Sequence, residues 1–343
     1  MGHKIDLSNY KIRTDLAIEV IGDGKGINTD FYNIDDVKIT RVNIDEENGK
    51  LISKKAGNYV TIEFTDITDY ESKEIVKKIF SDELKKLLSE LKIKEEDSVL
   101  IIGLGNSSST PDALGPLSIE KILVTKHLFT LGDVDEGFRE VSAISPGVMG
   151  QTGIETSDLI KSTVDTVKPD FVIVIDALAS QSLDRVNKTI QITDTGIHPG
   201  SGIGNKRKEI SLEILGIPVI AIGIPTVVDA VTIVSDTIDY MYKHFSYTKD
   251  NINNPINRLI SGGVNYLNKD VNVDQEEKSE LFGIVGSLGS EEVKQLIYEV
   301  LTPIGYNLMV TPKEVDFLIE KLADVIGNGI NQTLHKQVTN KKI

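Results

Sequence analysis

The chain of 343 residues contains no cysteine, which excludes disulfide bonds, thiolate metal sites and a cysteine nucleophile. It also lacks any hydrophobic run that approaches the roughly 20 residues of a membrane span, and its first residues contain no signal-peptide core. Basic residues are in the minority, because 37 Lys and Arg stand against 52 Asp and Glu, for a formal net charge of −15. Nucleic-acid binders need clustered Lys and Arg. We therefore expect a soluble, intracellular protein with neither a membrane nor a nucleic-acid partner.

Hydrophobic patterning predicts the fold class. Three apolar runs, at 98–104, 171–175 and 218–222, have the composition of strands that are buried on both faces. Between such runs apolar residues recur with helical spacing, and the segment 74–91 shows the same spacing before the first of them. This alternation of strands and helices predicts an α/β fold with a mostly parallel sheet that helices cover on both faces. The polar segment 245–282 is expected to be an insertion or linker.

Two aspartates that follow buried strands are the strongest candidates for chemistry. Asp176 comes directly after the run 171–175, and Asp112 lies in the segment after the run 98–104. Because open α/β sheets place their sites at the carboxyl ends of strands, we expect both carboxylates at one edge of the sheet. Two close carboxylates share a proton, so that one can activate water while the other protonates a leaving amine. The residues alone therefore favour a carboxylate-dependent hydrolase.

Nucleotide-binding and metal-binding motifs are incomplete or absent. The glycine pair at 103–105 lacks the third glycine of a dinucleotide-binding loop, because Ser108 stands at that position. Among the five histidines, no pair has the close spacing of metal ligands. Only His198, in a loop rich in Gly and Pro, is a candidate neighbour of the active site. The sequence therefore predicts no cofactor and no metal.

Long motifs between about residue 5 and the C-terminus carry a family resemblance. They comprise Tyr10–Ala17, Gly103–Asn106, Thr110–Pro116, Ser145–Gly153, Ile175–Ala179, Gly196–Gly200, Asn205–Glu209 and Gly223–Ala230. Together they resemble the germination proteases of spore-forming bacteria, endopeptidases that degrade small acid-soluble spore proteins when a spore germinates. The resemblance implies a three-layer α/β/α fold of the phosphorylase/hydrolase type, related to the proteases that mature nickel hydrogenases.

The resemblance also implies the site and the setting in which it works. In the family the two essential aspartates lie in the segments TPDALGP and VIDALA, which are matched here by Asp112 and Asp176. Small acid-soluble spore proteins are the implied substrates. A homotetramer in the cytoplasm of the spore core is the implied assembly and location.

An N-terminal propeptide that the enzyme removes itself is a further implication of the resemblance. The family's substrates are cut after an acidic residue and before a hydrophobic residue followed by Ala, with another acidic residue shortly after. Asp15–Glu19 fits this pattern and places the cut between Asp15 and Leu16. Residues 1–15 would then be a propeptide within a polar leader mobile enough to reach an active site. Residues 16–343 would form a single α/β peptidase domain.

Two alternatives stay open. In a metal-assisted peptidase of the hydrogenase-maturation type, Asp112 and Asp176 would be ligands and His198 would complete the site. In a non-catalytic binding module, the same groove would hold extended peptides. A chelator separates the first alternative from an aspartate pair, and replacing Asp112 by Asn separates the second from an enzyme.

Overall fold

The structure is a computed structural model, and it describes residues 14–21, 27–132, 134–200, 208–251, 273–301 and 308–338. These residues divide into two units. The larger unit contains the described residues up to 227 and those from 311 onward, and the smaller unit contains those between 228 and 310. The predicted single domain over 16–343 stays a prediction. Residues 1–13 of the predicted propeptide lie outside the described part of the chain.

The strands of the described residues form one mixed sheet. They are β1 (Asn28–Ile34), β2 (Val37–Ile44), β3 (Gly57–Glu63), β4 (Val99–Gly103), β5 (Val141–Ile144), β6 (Phe171–Ser180), β7 (Thr189–Thr193), β8 (Val219–Asp229) and β9 (Met309–Val310). Their order is β1-β2-β3-β7-β8-β6-β4-β5, with β9 paired to β8. The strand β4 is parallel to both β5 and β6. The pairs β1–β2, β2–β3, β3–β7, β7–β8 and β8–β9 are antiparallel. The predicted α/β class is confirmed.

Helices alternate with these strands along the chain. They are α1 (Ile18–Ile21), α2 (Glu46–Ile52), α3 (Tyr70–Glu90), α4 (Leu114–Ile119), α5 (Lys126–Leu131), α6 (Met149–Thr152), α7 (Thr156–Val167), α8 (Leu212–Leu215), α9 (Ala230–Asn251), α10 (Gln275–Phe282), α11 (Ser290–Leu301) and α12 (Val315–Leu334). None of the helices in the described ranges combines the length and apolar content of a membrane span.

Side chains of the central strands alternate between two apolar layers. Ile101 of β4 packs in one layer with Phe80 of α3 and Ile326 of α12. Its neighbour Leu100 packs in the other layer, with Ile160 of α7. Successive residues of a strand point to opposite faces, so an uninterrupted apolar run serves both layers at once. The helices α3 and α12 cover one face of the parallel strands and α7 covers the other, which makes three layers.

The polar segment predicted at 245–282 is helical at both of its ends. The helix α9 continues to Asn251, and α10 covers Gln275–Phe282, while residues 252–272 lie outside the described residues. Within the smaller unit, α9 packs against α10 and α11. The rings of Tyr242 and Phe282 meet edge to face with their centroids 4.8 Å apart. This end of the segment is therefore part of a packed helical cluster.

His335 follows the end of α12 and is buried. The centroid of its ring lies 5.4 Å from that of Phe138, and its Nδ1 accepts a hydrogen bond from the backbone N–H of Arg139 at 3.2 Å. Burial lowers the pKa of His335, and the charge of Arg139 lowers it further. The folded protein therefore keeps this imidazole neutral at pH values where the unfolded chain protonates it.

We expect His335 to make the protein less stable in mild acid. Because its pKa is lowered in the folded state, the unfolded chain binds more protons below about pH 6.5, and the free energy of unfolding falls there. The variant His335→Gln lacks this loss. The amount by which the wild type's free energy of unfolding exceeds that of the variant should therefore shrink as the pH falls from about 7.5 to 5.5. Urea unfolding at each pH measures it, with the exposed His127→Gln as control. A difference that stays constant across this range would contradict the prediction.

Candidate active site

The parallel pairing of β4 with β6 brings the two candidate aspartates to one edge of the sheet. In this register Gly103 lies opposite Ile175, and the backbone N–H of Leu104 donates to the carbonyl oxygen of Ile175 at 2.8 Å. Asp176 is the next residue of β6. Asp112 ends a short 3-10 turn in the loop that follows β4. The end of β4 thus places Asp112 near Asp176 of the neighbouring strand. The strand β6 continues to Ser180, so the predicted end of this strand at 175 is wrong.

The loop between β4 and Asp112 is closed by its own backbone. The N–H of Asn106 donates to the carbonyl oxygen of Asp112 at 3.0 Å, and the N–H of Asp112 donates to that of Ser109 at 2.8 Å. Gly105 has a φ of +116°, and a Cβ there would overlap the carbonyl oxygen of Asp112. This position requires glycine for its dihedral angle and for the close approach. Asp112 therefore lies on a tightly turned backbone.

Asp112 and Asp176 line the same cavity, which has a volume of about 60 Å³. The other lining residues are Leu104, Gly105, Gly147, Val148, Thr156, Pro199 and Gly200. Asp176 is only 7% exposed, and its Oδ1 accepts a hydrogen bond from the N–H of Ala177 at 2.9 Å. A polar cavity of this size has room for at least one water molecule. The arrangement can therefore present water to two carboxylates.

His198 lies beside this cavity and does not line it. Its imidazole is about half exposed, with Nε2 3.5 Å from Oε2 of Glu209, whereas the next two residues, Pro199 and Gly200, line the cavity. Across the described residues, no three His, Cys, Asp or Glu side chains are grouped as metal ligands would be. The structure thus brings Asp112 and Asp176 to one cavity and leaves His198 at its margin.

Residues 14–21, the docked segment, contain the predicted cut and pack on the larger unit. The N–H of Asp15 donates to the carbonyl oxygen of Ala179 at 3.1 Å, and the N–H of Ala179 donates to Oδ2 of Asp15 at 2.9 Å. Leu16 and Ala17 are fully buried, and Ala17 packs in an apolar cluster with residues of β2 and β3. The expectation of a mobile leader is therefore wrong for the docked segment, because its apolar side chains are part of a packed core.

Two side chains contact the backbone on both sides of the predicted cut. Nζ of Lys54 donates to the carbonyl oxygens of Thr14 at 2.9 Å and of Asp15 at 3.1 Å. Gln191 donates from Nε2 to the carbonyl oxygen of Asp15 at 3.1 Å and accepts at Oε1 from the N–H of Ala17 at 2.7 Å. Burial lowers the pKa of Lys54, and nearby carboxylates oppose this. The carbonyl group of the predicted scissile bond therefore has two donors.

Glu19, the second acidic residue of the cleavage pattern, binds the far side of the docked segment to the end of β6. Its side chain is 3% exposed and lies 3.4 Å from the guanidinium of Arg185. Its oxygens accept from the hydroxyl of Ser180 at 2.5 Å, from the N–H of Gln181 at 2.7 Å and from the hydroxyl of Thr14. A buried carboxylate is tolerated where such donors satisfy both oxygens. The acidic residue therefore stabilises the docked position.

No pattern in the sequence indicates a role for Lys54, Gln191 or Thr226. The hydroxyl of Thr226 donates to the carbonyl oxygen of Pro111 at 2.6 Å, one residue before Asp112. Each of the three contacts a partner 39 or more residues away along the chain, so no local pattern could reveal it. Only Thr226 lies inside one of the long motifs, Gly223–Ala230, and that motif carries no information about its partner.

The fold and the cavity define a class of protein, an α/β enzyme with two carboxylates at the carboxyl edge of its sheet, as in a hydrolytic site. A family model for germination proteases, peptidase family A25, matches residues 12–343. The chain is 51% identical to the germination protease of Geobacillus sp. strain WCH70, over 98% of this chain and 97% of that one. It is 52% identical to the germination protease of Bacillus licheniformis, over 98% and 96%. The chain therefore belongs to the germination protease family and is a peptidase.

One solved structure also aligns with the chain. A NiFe hydrogenase maturation protease from Thermococcus kodakarensis KOD1 matches 41% of this chain and 79% of that protein, at 20% identity and a TM-score of 0.27. A similarity at this level carries no argument about the site.

Replacing Lys54 by Met should loosen the docked segment, because the variant keeps the buried hydrocarbon chain and loses both hydrogen bonds from the ammonium group. Hydrogen bonds to charged groups contribute about 1.5–3 kcal/mol, so we expect the amides of 16–21 to exchange hydrogen at least ~10-fold faster. Lys55→Met is the matched control, since Lys55 pairs with Glu209 and Glu213 instead. Exchange is measured by mass spectrometry, and equal rates in both variants would contradict the role of Lys54.

Proposed function

We propose that this peptidase is an endopeptidase that starts the degradation of small acid-soluble spore proteins during germination, with Asp112 and Asp176 as its catalytic pair. The observation that carries the proposal is that both aspartates line one cavity at the carboxyl edge of the sheet. Membership of the germination protease family supports the role in germination. The proposal includes a homotetramer in the cytoplasm of the spore core that works without a cofactor.

The pair would hydrolyse the peptide bond by general acid–base catalysis. One carboxylate, ionised, takes a proton from a water molecule while the water oxygen bonds to the carbonyl carbon. The other carboxyl group, protonated, gives its proton to the nitrogen as the C–N bond breaks. The products are a carboxylic acid and an amine, and the pair again holds one proton, now on the other member.

We also propose that the chain is made as a precursor that is cut between Asp15 and Leu16. Asp15 is bound at Ala179, three residues beyond Asp176 on β6, a separation of roughly 10 Å along a strand. Leu16 is fully buried. Cleavage at this bond therefore requires the docked segment to leave its position, and the bond is protected while the segment stays bound.

Replacing either aspartate by Asn should abolish cleavage of a peptide with a Glu-Ile-Ala-Ser-Glu core. Removal of one member of a catalytic unit typically costs ~10³-fold or more in kcat, because the remaining member has no partner for proton transfer. The exposed Asp165→Asn is the matched control. Full activity of Asp112→Asn would contradict the aspartate pair, and retained peptide binding without any cleavage in the wild type would indicate a binding module. Loss of wild-type activity in a chelator would favour the metal-assisted alternative.

Self-processing should create a new N-terminus at Leu16. Mildly acidic, dehydrating conditions should favour it, because acid fills the singly protonated state of a carboxylate pair. Acid also reduces the repulsion within a chain of net charge −15. N-terminal sequencing detects the product, and Asp176→Asn should yield none. A leader that stays intact at every pH, in a protein that already cleaves the peptide, would contradict the precursor proposal.

A further inference from the structure

The turn that carries Asp112 crosses the strand that carries Asp176. In the sheet, β6 lies between β4 and β8. The turn follows β4 and contacts β6, and yet the carbonyl oxygen of Pro111 accepts its hydrogen bond from Thr226 on β8, at 2.6 Å. The turn therefore runs from one neighbour of β6 to the other, across the strand that carries Asp176.

We propose that Thr226 is a positioning residue that sets the separation of the two carboxylates. This inference rests on the proposed function, in which Asp112 and Asp176 act as a pair. Thr226 is 1% exposed, so water does not compete for its hydroxyl group. Its own carbonyl oxygen accepts a hydrogen bond from the hydroxyl of Thr311 at 2.8 Å. The hydroxyl that donates to the carbonyl oxygen of Pro111 thus belongs to a residue whose backbone is itself held in place.

Three further hydrogen bonds of this loop determine its shape but do not fix its position over β6. Asn106 and Ser109 bond to the backbone of Asp112 from within the loop. Gln151 donates to Oδ1 of Asn106 at 2.6 Å, at the start of the loop. None of these three links joins the turn to the strand on the far side of β6. The hydroxyl of Thr226 makes that link one residue before the carboxylate it positions.

Loss of the Thr226 hydroxyl should disturb proton sharing between the carboxyl groups of Asp112 and Asp176. Removing the hydroxyl takes away the donor to the carbonyl oxygen of Pro111, a half-buried residue, which favours a shifted turn. A displacement of about 1 Å in a catalytic group can cost ~100-fold in rate, because proton transfer requires hydrogen-bond geometry. Substrate binding depends on the rest of the cleft. The effect of Thr226 should therefore fall on kcat and leave KM nearly unchanged.

The test compares three variants in the full chain with the same peptide. Thr226→Val removes the hydroxyl and keeps the shape, and Thr226→Ser keeps the hydroxyl. Thr189→Val is the matched control, because Thr189 is also a buried strand threonine, 1% exposed, and its hydroxyl has no partner among the described residues. We expect Thr226→Val to lower kcat ~10- to 100-fold with KM within about threefold. Thr226→Ser should restore kcat to within about threefold of wild type, and Thr189→Val should match wild type.

A second comparison separates this inference from the proposed function. In an Asp112→Asn background, Thr226→Val should have no further effect on the residual rate, because a positioning residue has nothing left to position. Equal kcat in Thr226→Val and wild type, or a change confined to KM, would overturn the inference while the aspartate pair stands. Full activity of Asp112→Asn would instead overturn the proposed function.

A purely structural role for the hydroxyl has its own signature. Thr226→Ala removes the same group in a smaller side chain and serves where the Val variant does not fold. Loss of folded protein in both variants, or a lowered Tm with unchanged kcat, would assign the hydroxyl to stability and overturn the inference.

Discussion

The parallel pairing of β4 with β6 is the interaction on which the rest of the site depends. It places the end of β4 beside Asp176 of β6, with Gly103 opposite Ile175. The chain must then turn back at once to place α4 on the sheet, and this requires close backbone contact. A Cβ at Gly103 would overlap the carbonyl oxygen of Gly115, and a Cβ at Gly115 would overlap that of Leu104. Two glycines therefore let the start of α4 pack against the end of β4, with the Asp112 loop between them along the chain.

The features of the site that depend on neighbouring strand ends could be predicted from the sequence. An apolar run without alternation predicts burial on both faces, and the aspartate that ends it must lie at the carboxyl edge. Such runs in the sequence indicated Asp112 and Asp176, which line one cavity. They did not indicate the antiparallel pairing of β1, β2, β3 and β7. Strand β1 is exposed along most of its length, so it has no apolar periodicity, and its pairing depends on backbone hydrogen bonds that every residue can make.

The contacts of Lys54, Gln191 and Thr226 could not be predicted for a different reason. Each is a side chain that binds a backbone carbonyl group of a distant segment. Backbone carbonyls are identical at every residue, so the sequence offers no complementary group that would identify the partner. Only the tertiary arrangement decides which carbonyl oxygen lacks a donor. The docked segment was missed likewise, because a few apolar residues in a polar stretch do not show which surface they cover.

The strand β6 carries a candidate catalytic residue and a binding position for the docked segment, and its geometry sets their spacing. Asp176 points into the cavity, whereas the backbone of Ala179, three residues further on, binds Asp15. An extended strand cannot bring these two positions closer than roughly 10 Å along its axis, because each residue advances about 3.3 Å. The same strand that carries a candidate catalytic carboxylate thus keeps the predicted processing bond at a distance from it. Protection of this bond needs no separate inhibitory domain on this view, because it follows from where on β6 the docked segment binds.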